Sequence, residues 1–269
     1  GPLDDAARAA LVDVDLRLVE SQVNIGQAGG LNIAAHGAAQ AGFGHALLLD
    51  QDSEPPADLI DALLARAQAA AAQGARVALV APQLTPPPDE GYRPIRYALR
   101  KAPAPAGLQA LDFAPTSGSL LSLAAFAAVG PFREDFFIAG VDVEWGFRAW
   151  AAGWGCYLAP DLTMPHRWGE PADAAGGRTP QILRHAPVRN YYYARNVVAT
   201  AGLGHVPWRW RAASMATLAA QIGVLALKGG PGALAPIRAG LADALDGHMG
   251  PAPQDAPNVE PEPVRPLWK

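Results

Sequence analysis

Asp50 and Asp52 stand two residues apart directly after the apolar run Ala46-Leu47-Leu48-Leu49, and Ser53 follows. Residues i and i+2 at a strand end face the same way, so both acids can reach one cation. Hard carboxylate oxygens suit Mg²⁺ or Mn²⁺, and such ions suit a diphosphate. The structural alternative is a solvated acidic turn before the next helix. Further along, Asp142 and Glu144 in Gly140-Val141-Asp142-Val143-Glu144-Trp145 open a helical stretch. Carboxylates are common there as caps and as partners of the helix dipole. The preceding Phe136-to-Val141 is strongly apolar, however. A carboxylate emerging from it is partly desolvated, gains basicity and fits a general base. His166 in Met164-Pro165-His166-Arg167 is a lone imidazole, either a metal ligand or an ordinary residue.

Three weaker features accompany these. Asn24-Ile25-Gly26-Gln27-Ala28-Gly29-Gly30-Leu31-Asn32 reads as a glycine-rich connection into a helix, where backbone N–H groups can meet phosphate or sugar. It is neither a dinucleotide fingerprint nor a P-loop. Thr116-Ser117-Gly118-Ser119 offers hydroxyls and backbone donors to an acceptor, or is simply a turn. Arg189-to-Asn196 places Arg, Asn and Tyr on several helix faces, where an arginine could neutralise a leaving diphosphate or merely sit in solvent.

The positioning elements follow from the pattern. Strands are expected over 15–20, 45–49, 76–81, 108–114 and 156–159. Helices are expected over 4–12, 29–40, 56–73, 120–129, 142–153 and 187–201. Alternation of the two predicts an α/β fold with a largely parallel sheet covered on both faces. The strand ends then deliver acids to the crevice where ligands bind in such sheets. The chain has 269 residues, half of them hydrophobic and 17% charged, so a packed core is expected. A net charge of −4 argues against a nucleic-acid surface. Cys156 is the only cysteine, which excludes an intrachain disulfide. No signal peptide is visible, and Ala212 to Leu227 is short for a spanning helix. The expected division is a catalytic domain over 1–205, amphipathic helices over 206–248, and a proline-rich extended or disordered tail over 249–269.

Taken in order, Asn24-to-Asn32, Leu48-Leu49-Asp50-Gln51-Asp52-Ser53, Thr116-to-Ser119, Val141-Asp142-Val143-Glu144-Trp145, His166 and Arg189-to-Asn196 resemble family 2 glycosyltransferases of the GT-A fold, in their bacterial rhamnosyltransferase-like branch. The resemblance implies a nucleotide-sugar donor, commonly dTDP-L-rhamnose, and an inverting transfer to a glycan or lipid-linked acceptor in cell-surface polysaccharide synthesis. It implies Asp52 and His166 as ligands of Mg²⁺ or Mn²⁺, with Asp50 near the metal or donor ribose. Asn24, Gly29, Gly30, Asn32 and Arg195 would face the donor. Ser117, Gly118, Glu144 and Trp145 would face the acceptor, and Asp142 would be the base. The family opens with two strands that bind the nucleotide base, whereas Asp4-Asp5-Ala6-Ala7-Arg8 resembles the helix after them. Roughly 30–40 residues of the family pattern, about one βαβ unit, are therefore expected to be missing. The rival readings are a sugar nucleotidyltransferase and a non-catalytic module that binds an acceptor glycan or a partner. A cytoplasmic location is expected, with the 208–246 helices either packed on the domain or lying on the inner face of the membrane.

Overall fold

A computed structural model describes residues 16–50, 53–87, 96–167, 186–230 and 232–253. In chain order the elements are α1 (Gly26–Gln40), β1 (His45–Leu47), α2 (Leu59–Ala72), β2 (Val77–Thr85), β3 (Gln109–Leu111), β4 (Leu120–Ser122), α3 (Leu123–Val129), α4 (Val141–Ala151), β5 (Gly155–Pro165), α5 (Pro187–Ala201), α6 (Trp208–Lys228) and α7 (Ala235–Asp246). A 3₁₀ turn, Glu134–Phe136, lies between α3 and α4.

The five strands form one sheet in the order β1-β4-β2-β5-β3. β4 runs antiparallel to both β1 and β2, so those two share a direction. β5 runs parallel to β2, and β3 antiparallel to β5. β1, β2 and β5 therefore end at the same edge. The sheet is mixed: three strands agree in direction, with the reversed β4 between two of them.

Alternation along β2 and β5 divides the core. Leu79, Ala81, Cys156 and Leu158 pack with α1, α3 and α4 on one face. Val80, Tyr157 and Ala159 pack with Leu59, Leu63, Ala67 and Ala70 of α2 on the other. β5 is much longer than the expected 156–159, because Pro160, Asp161 and Leu162 form a bulge after which pairing with β2 resumes at Thr163. Residues 120–129 are not all helix: the first three are β4, and Ser122 caps α3 by accepting the Ala125 N–H. Residues 16–20 form no strand. Their alternation supplies an apolar face, but Leu16, Leu18 and Val19 lie exposed and no ladder pairs them.

α5, α6 and α7 pack around Ala194, Val197, Leu218, Leu225 and Ile237. Gly240 lets α7 approach α5 closely, since a Cβ there would fall 2.3 Å from the Tyr191 carbonyl oxygen. The start of the expected tail is docked rather than free. The Gly250 N–H donates to the Asp135 carbonyl at 2.7 Å, and the Ala252 N–H to the Tyr192 hydroxyl at 2.6 Å. Residues 254–269 and the expected 4–12 helix lie outside the described residues.

Candidate active site at the strand ends

Beyond β1 the backbone stays in register with the turn before β4. The Leu48 N–H donates to the Ser119 carbonyl at 2.9 Å, and the Gly118 N–H to the Leu48 carbonyl at 2.7 Å. These bonds hold Thr116-to-Ser119 against the segment leading into Asp50. The hydroxyls of Ser53 and Ser117 meet at 2.5 Å, joining the segment after Asp50 to the Thr116-to-Ser119 turn. Gly118 has φ +78° and touches the end of β5: a Cβ there would lie 2.7 Å from Met164 Cε. Only glycine suits both the left-handed backbone and the contact. The His166 N–H donates to the Thr85 carbonyl at 2.9 Å, so His166 sits where β2 and β5 end, with its side chain buried. An ion pair between Arg167 and Glu54, 2.8 Å long, ties the two post-strand segments together. Asp50, Ser117, Gly118 and His166 thus share one edge. Asp52 lies outside the described residues.

Asp142 reaches this edge from the start of α4. Its Oδ1 accepts the Val143 N–H at 2.9 Å. Removal from water pushes its carboxyl up to about 6, and the negative charge of Asp50 adds to the rise. That electrostatic influence places the two acids in one field.

The turn before Asp142 is strained and clamped. Phe137 and Ala139 have φ +63° and +68°, values that side-chain-bearing residues seldom adopt. Asn196 Nδ2 donates to the carbonyls of Phe136, Ile138 and Ala139 at 2.8–2.9 Å. Arg195 donates to the carbonyls of Asp135 and Phe136 at 3.1 Å and of Gly250 at 2.6 Å. Its guanidinium lies over the rings of Tyr191 and Tyr192.

Several residues expected in the site are placed elsewhere. Arg195 is wholly buried, so its donors serve this clamp and do not face a diphosphate. Asn32 is buried too, bonded to both backbone groups of Phe132 and to Glu134. The expected glycine-rich connection is mostly helix, since α1 already begins at Gly26. Its first N–H donors are not open to phosphate: Gln27 and Ala28 donate to the Phe137 carbonyl at 2.8 and 3.4 Å. Asn24 Oδ1 accepts the Gly26 N–H at 2.9 Å. Gly29 lies against Ile25, and Gly30 is exposed, where an added Cβ would meet nothing within 4 Å.

Glu144 and Trp145 are corrected in the same way. Glu144 is 1% exposed and holds Arg148 with both oxygens at 2.9 Å, while His205 Nε2 lies 3.0 Å from Oε1. Trp145 is fully buried and donates to the Gly130 carbonyl at 2.9 Å. Neither is presented to an acceptor. Sequence reasoning missed the clamp by Asn196 and the engagement of Glu144 by Arg148. The available signal was polar residues adjoining the apolar positions of α4 and α5.

Among the described residues no three His, Cys, Asp or Glu side chains group as a metal site. Of the three expected donors, Asp50 and His166 lie among the described residues and Asp52 does not. A carboxylate–imidazole set suits Mg²⁺ or Mn²⁺ chemically. The negative field that Asp50 exerts at Asp142 is of the sign a cation would offset.

No protein-family model matches the chain. Over 92 residues, 34% of its length, it is 36% identical to the dTDP-rhamnosyl transferase RfbF of Shigella flexneri. That match spans 30% of the relative. Among solved structures, S. aureus TarS 1-349 in complex with UDP-GlcNAc aligns with 90% of this chain and 67% of its own, at 12% identity and a TM-score of 0.54. A looser likeness is the mannosyltransferase PcManGT from Pyrobaculum calidifontis in complex with GDP-Man and Mn²⁺. It has 18% identity, covers 89% of this chain and 66% of its own, and its TM-score of 0.49 adds nothing to the fold assignment. The chain has the GT-A glycosyltransferase fold and, over its matched stretch, is similar to a dTDP-rhamnosyl transferase.

Proposed function

We propose that this chain transfers a sugar, rhamnose or one like it, from a nucleoside-diphosphate donor to an acceptor hydroxyl with inversion. The observation that carries the proposal is the meeting of Asp50, His166 and the Thr116-to-Ser119 turn at one sheet edge, with the raised-pKa Asp142 in the field of Asp50. Asp50, Asp52 and His166 would hold Mg²⁺ or Mn²⁺, which offsets the charge of the leaving diphosphate. Ser117 is 2% exposed with its hydroxyl on Ser53, and Gly118 is packed against Met164, so, like Glu144 and Trp145, neither is presented to an acceptor as expected. Asp142 takes the proton of the acceptor hydroxyl as its oxygen attacks the anomeric carbon. The attack comes from the face opposite the diphosphate, so the linkage inverts. The transition state carries oxocarbenium character, as in other glycosyl chemistry.

A donor screen scored by release of nucleoside diphosphate tests this reading. dTDP-L-rhamnose is expected to give metal-stimulated release above the rate without protein. Failure of every nucleotide sugar to do so would remove the enzymatic reading.

α6 supports a peripheral contact with the cytoplasmic membrane face. It is long and apolar enough by length and composition to cross a membrane, yet only 11% of its apolar window is buried. Residues 212–227 carry no charge, and Arg209, Arg211 and Lys228 flank them. The chain is expected to float with anionic liposomes at low salt. Its absence from the lipid fraction would leave α6 only its packing role.

A further inference from the structure

The residues that lead into α4 follow a backbone path that their own side chains disfavour. Phe137 has φ +63° and ψ −66°, and the Ile138 N–H donates to the Phe136 carbonyl at 2.7 Å. That is the rare and strained form of the γ-turn. Ala139 (φ +68°) and Gly140 (φ +77°) follow, and only the glycine takes a left-handed conformation without steric cost. Such strain persists only where the surroundings hold it. On one side the Phe137 carbonyl accepts the Gln27 and Ala28 N–H groups. Gln27 Nε2 in turn donates to Thr116 Oγ1 at 3.3 Å, which fastens that side to the turn beside Asp50. On the other side a single amide does the holding. Asn196 Nδ2 donates to the Phe136, Ile138 and Ala139 carbonyls, and Asn196 Oδ1 accepts the Arg195 Nε–H at 3.1 Å, which sets the way the amide faces. Arg195 grips the chain upstream, at Asp135 and Phe136, whereas Asn196 reaches Ile138 and Ala139, next to the start of α4.

We propose that Asn196 is a positioning residue for the base: it holds residues 136–139 in the path that delivers Asp142 to the strand edge, and it serves the transfer step only through Asp142. The inference rests on the reading of Asp142 as the base. Asn196 itself is 2% exposed with both polar atoms of its amide committed, so it meets no substrate. Loosening the turn moves the carboxylate and leaves the strand-end acids where they are. A misplacement of about 1 Å can cost about 10²-fold in rate.

The test is a double-mutant cycle on the full chain, read by steady-state release of dTDP from dTDP-L-rhamnose with Mn²⁺. Asn196→Ala is expected to lower kcat by about 10²-fold with KM for the donor unchanged. In the Asp142→Asn background it should cost nothing further. Adding Ala139→Gly to Asn196→Ala should restore part of kcat, because glycine takes the left-handed path without a clamp. Val197→Ala trims the next residue of α5, which packs among the C-terminal helices, and should lower stability while leaving kcat as in the parent. Asn196→Ser keeps one donor and carries the same comparisons if Asn196→Ala does not fold. Parental kcat in a folded Asn196 variant, a loss additive with that of Asp142→Asn, a loss in KM alone, no recovery by Ala139→Gly, or equal loss in Val197→Ala would each overturn the proposal. A parent that releases no dTDP would instead fail the transferase reading, and amide hydrogen exchange then decides the positioning role. Faster exchange at Gln27, Ala28 and Val143 in Asn196→Ala upholds it, and parental exchange at all three overturns it.

Discussion

Asp142→Asn is expected to reduce turnover by roughly 10²–10⁴, the range for loss of a positioned base, with nucleotide affinity unchanged. Asparagine keeps the shape and the Oδ1 that accepts the Val143 N–H, so the start of α4 is preserved. The parent should show a rate that rises with pH through about 6, because the base acts only when deprotonated and its carboxyl is raised to about 6. That limb should vanish in the variant. Stability should move the other way. A carboxyl whose folded pKa exceeds its unfolded value binds more protons when folded. Its ionisation therefore penalises the fold above about 6, and the penalty is relieved as pH falls toward the ordinary carboxylate value. Asp142→Asn should thus be more stable than the parent at pH 8 and no more stable at pH 4. Denaturation at the two pH values, with steady-state rates, checks both halves. Near-full turnover in Asp142→Asn would sink the assignment.

Arg195→Ala is expected to destabilise the chain by about 3–5 kcal/mol. Hydrogen bonds to a charged group contribute about 1.5–3 kcal/mol each, and the four that share this side chain, one of them from Nε to Asn196 Oδ1, do not add in full. The Asp135 carbonyl would keep the Gly250 N–H, and the Phe136 carbonyl would keep Asn196. Gly250 would lose the Arg195 donor to its carbonyl, and the two tyrosine rings would lose the cation between them. Arg195→Lys should recover only part of the loss, because an ammonium cannot reproduce the fork. Urea denaturation measures this directly. A variant within 1 kcal/mol of the parent that no longer binds nucleotide would return Arg195 to the donor site.

The comparison of Arg195 with Asp50 shows where sequence is informative. Asp50 is legible because an apolar run ending in an acid points past a strand to the sheet edge, although β1 itself ends at Leu47, short of the expected 49. The helices α2, α5 and α7 are legible because their apolar positions recur on one face. α5 begins and ends where its pattern says, at Pro187 and Ala201. Arg195 and Asn196 are not legible in the same way. A polar side chain on a helix can face a ligand or the carbonyls of another segment, and only tertiary contact decides. The glycines of 26–30 mislead for a related reason. Gly26 is needed because a Cβ would meet the Phe137 carbonyl oxygen at 2.5 Å, a contact across more than a hundred residues that looks locally like a flexible loop. β4 escapes because three residues, Leu120-Leu121-Ser122, carry too little alternation to separate them from the helix they precede. Asp142 is the converse case: its helix start was legible from the local pattern, whereas its shared field with Asp50 needed the fold.

The central claim is that the strand-end acids and His166 bind a nucleoside diphosphate through a divalent ion. Its most direct test is calorimetric titration of dTDP into the full chain, once with Mn²⁺ and once with EDTA, for the parent and for Asp52→Ala. The account predicts saturable binding with Mn²⁺, its loss in EDTA, and its loss in Asp52→Ala with an unchanged circular dichroism spectrum. Equal affinity for dTDP in Mn²⁺ and in EDTA would contradict it.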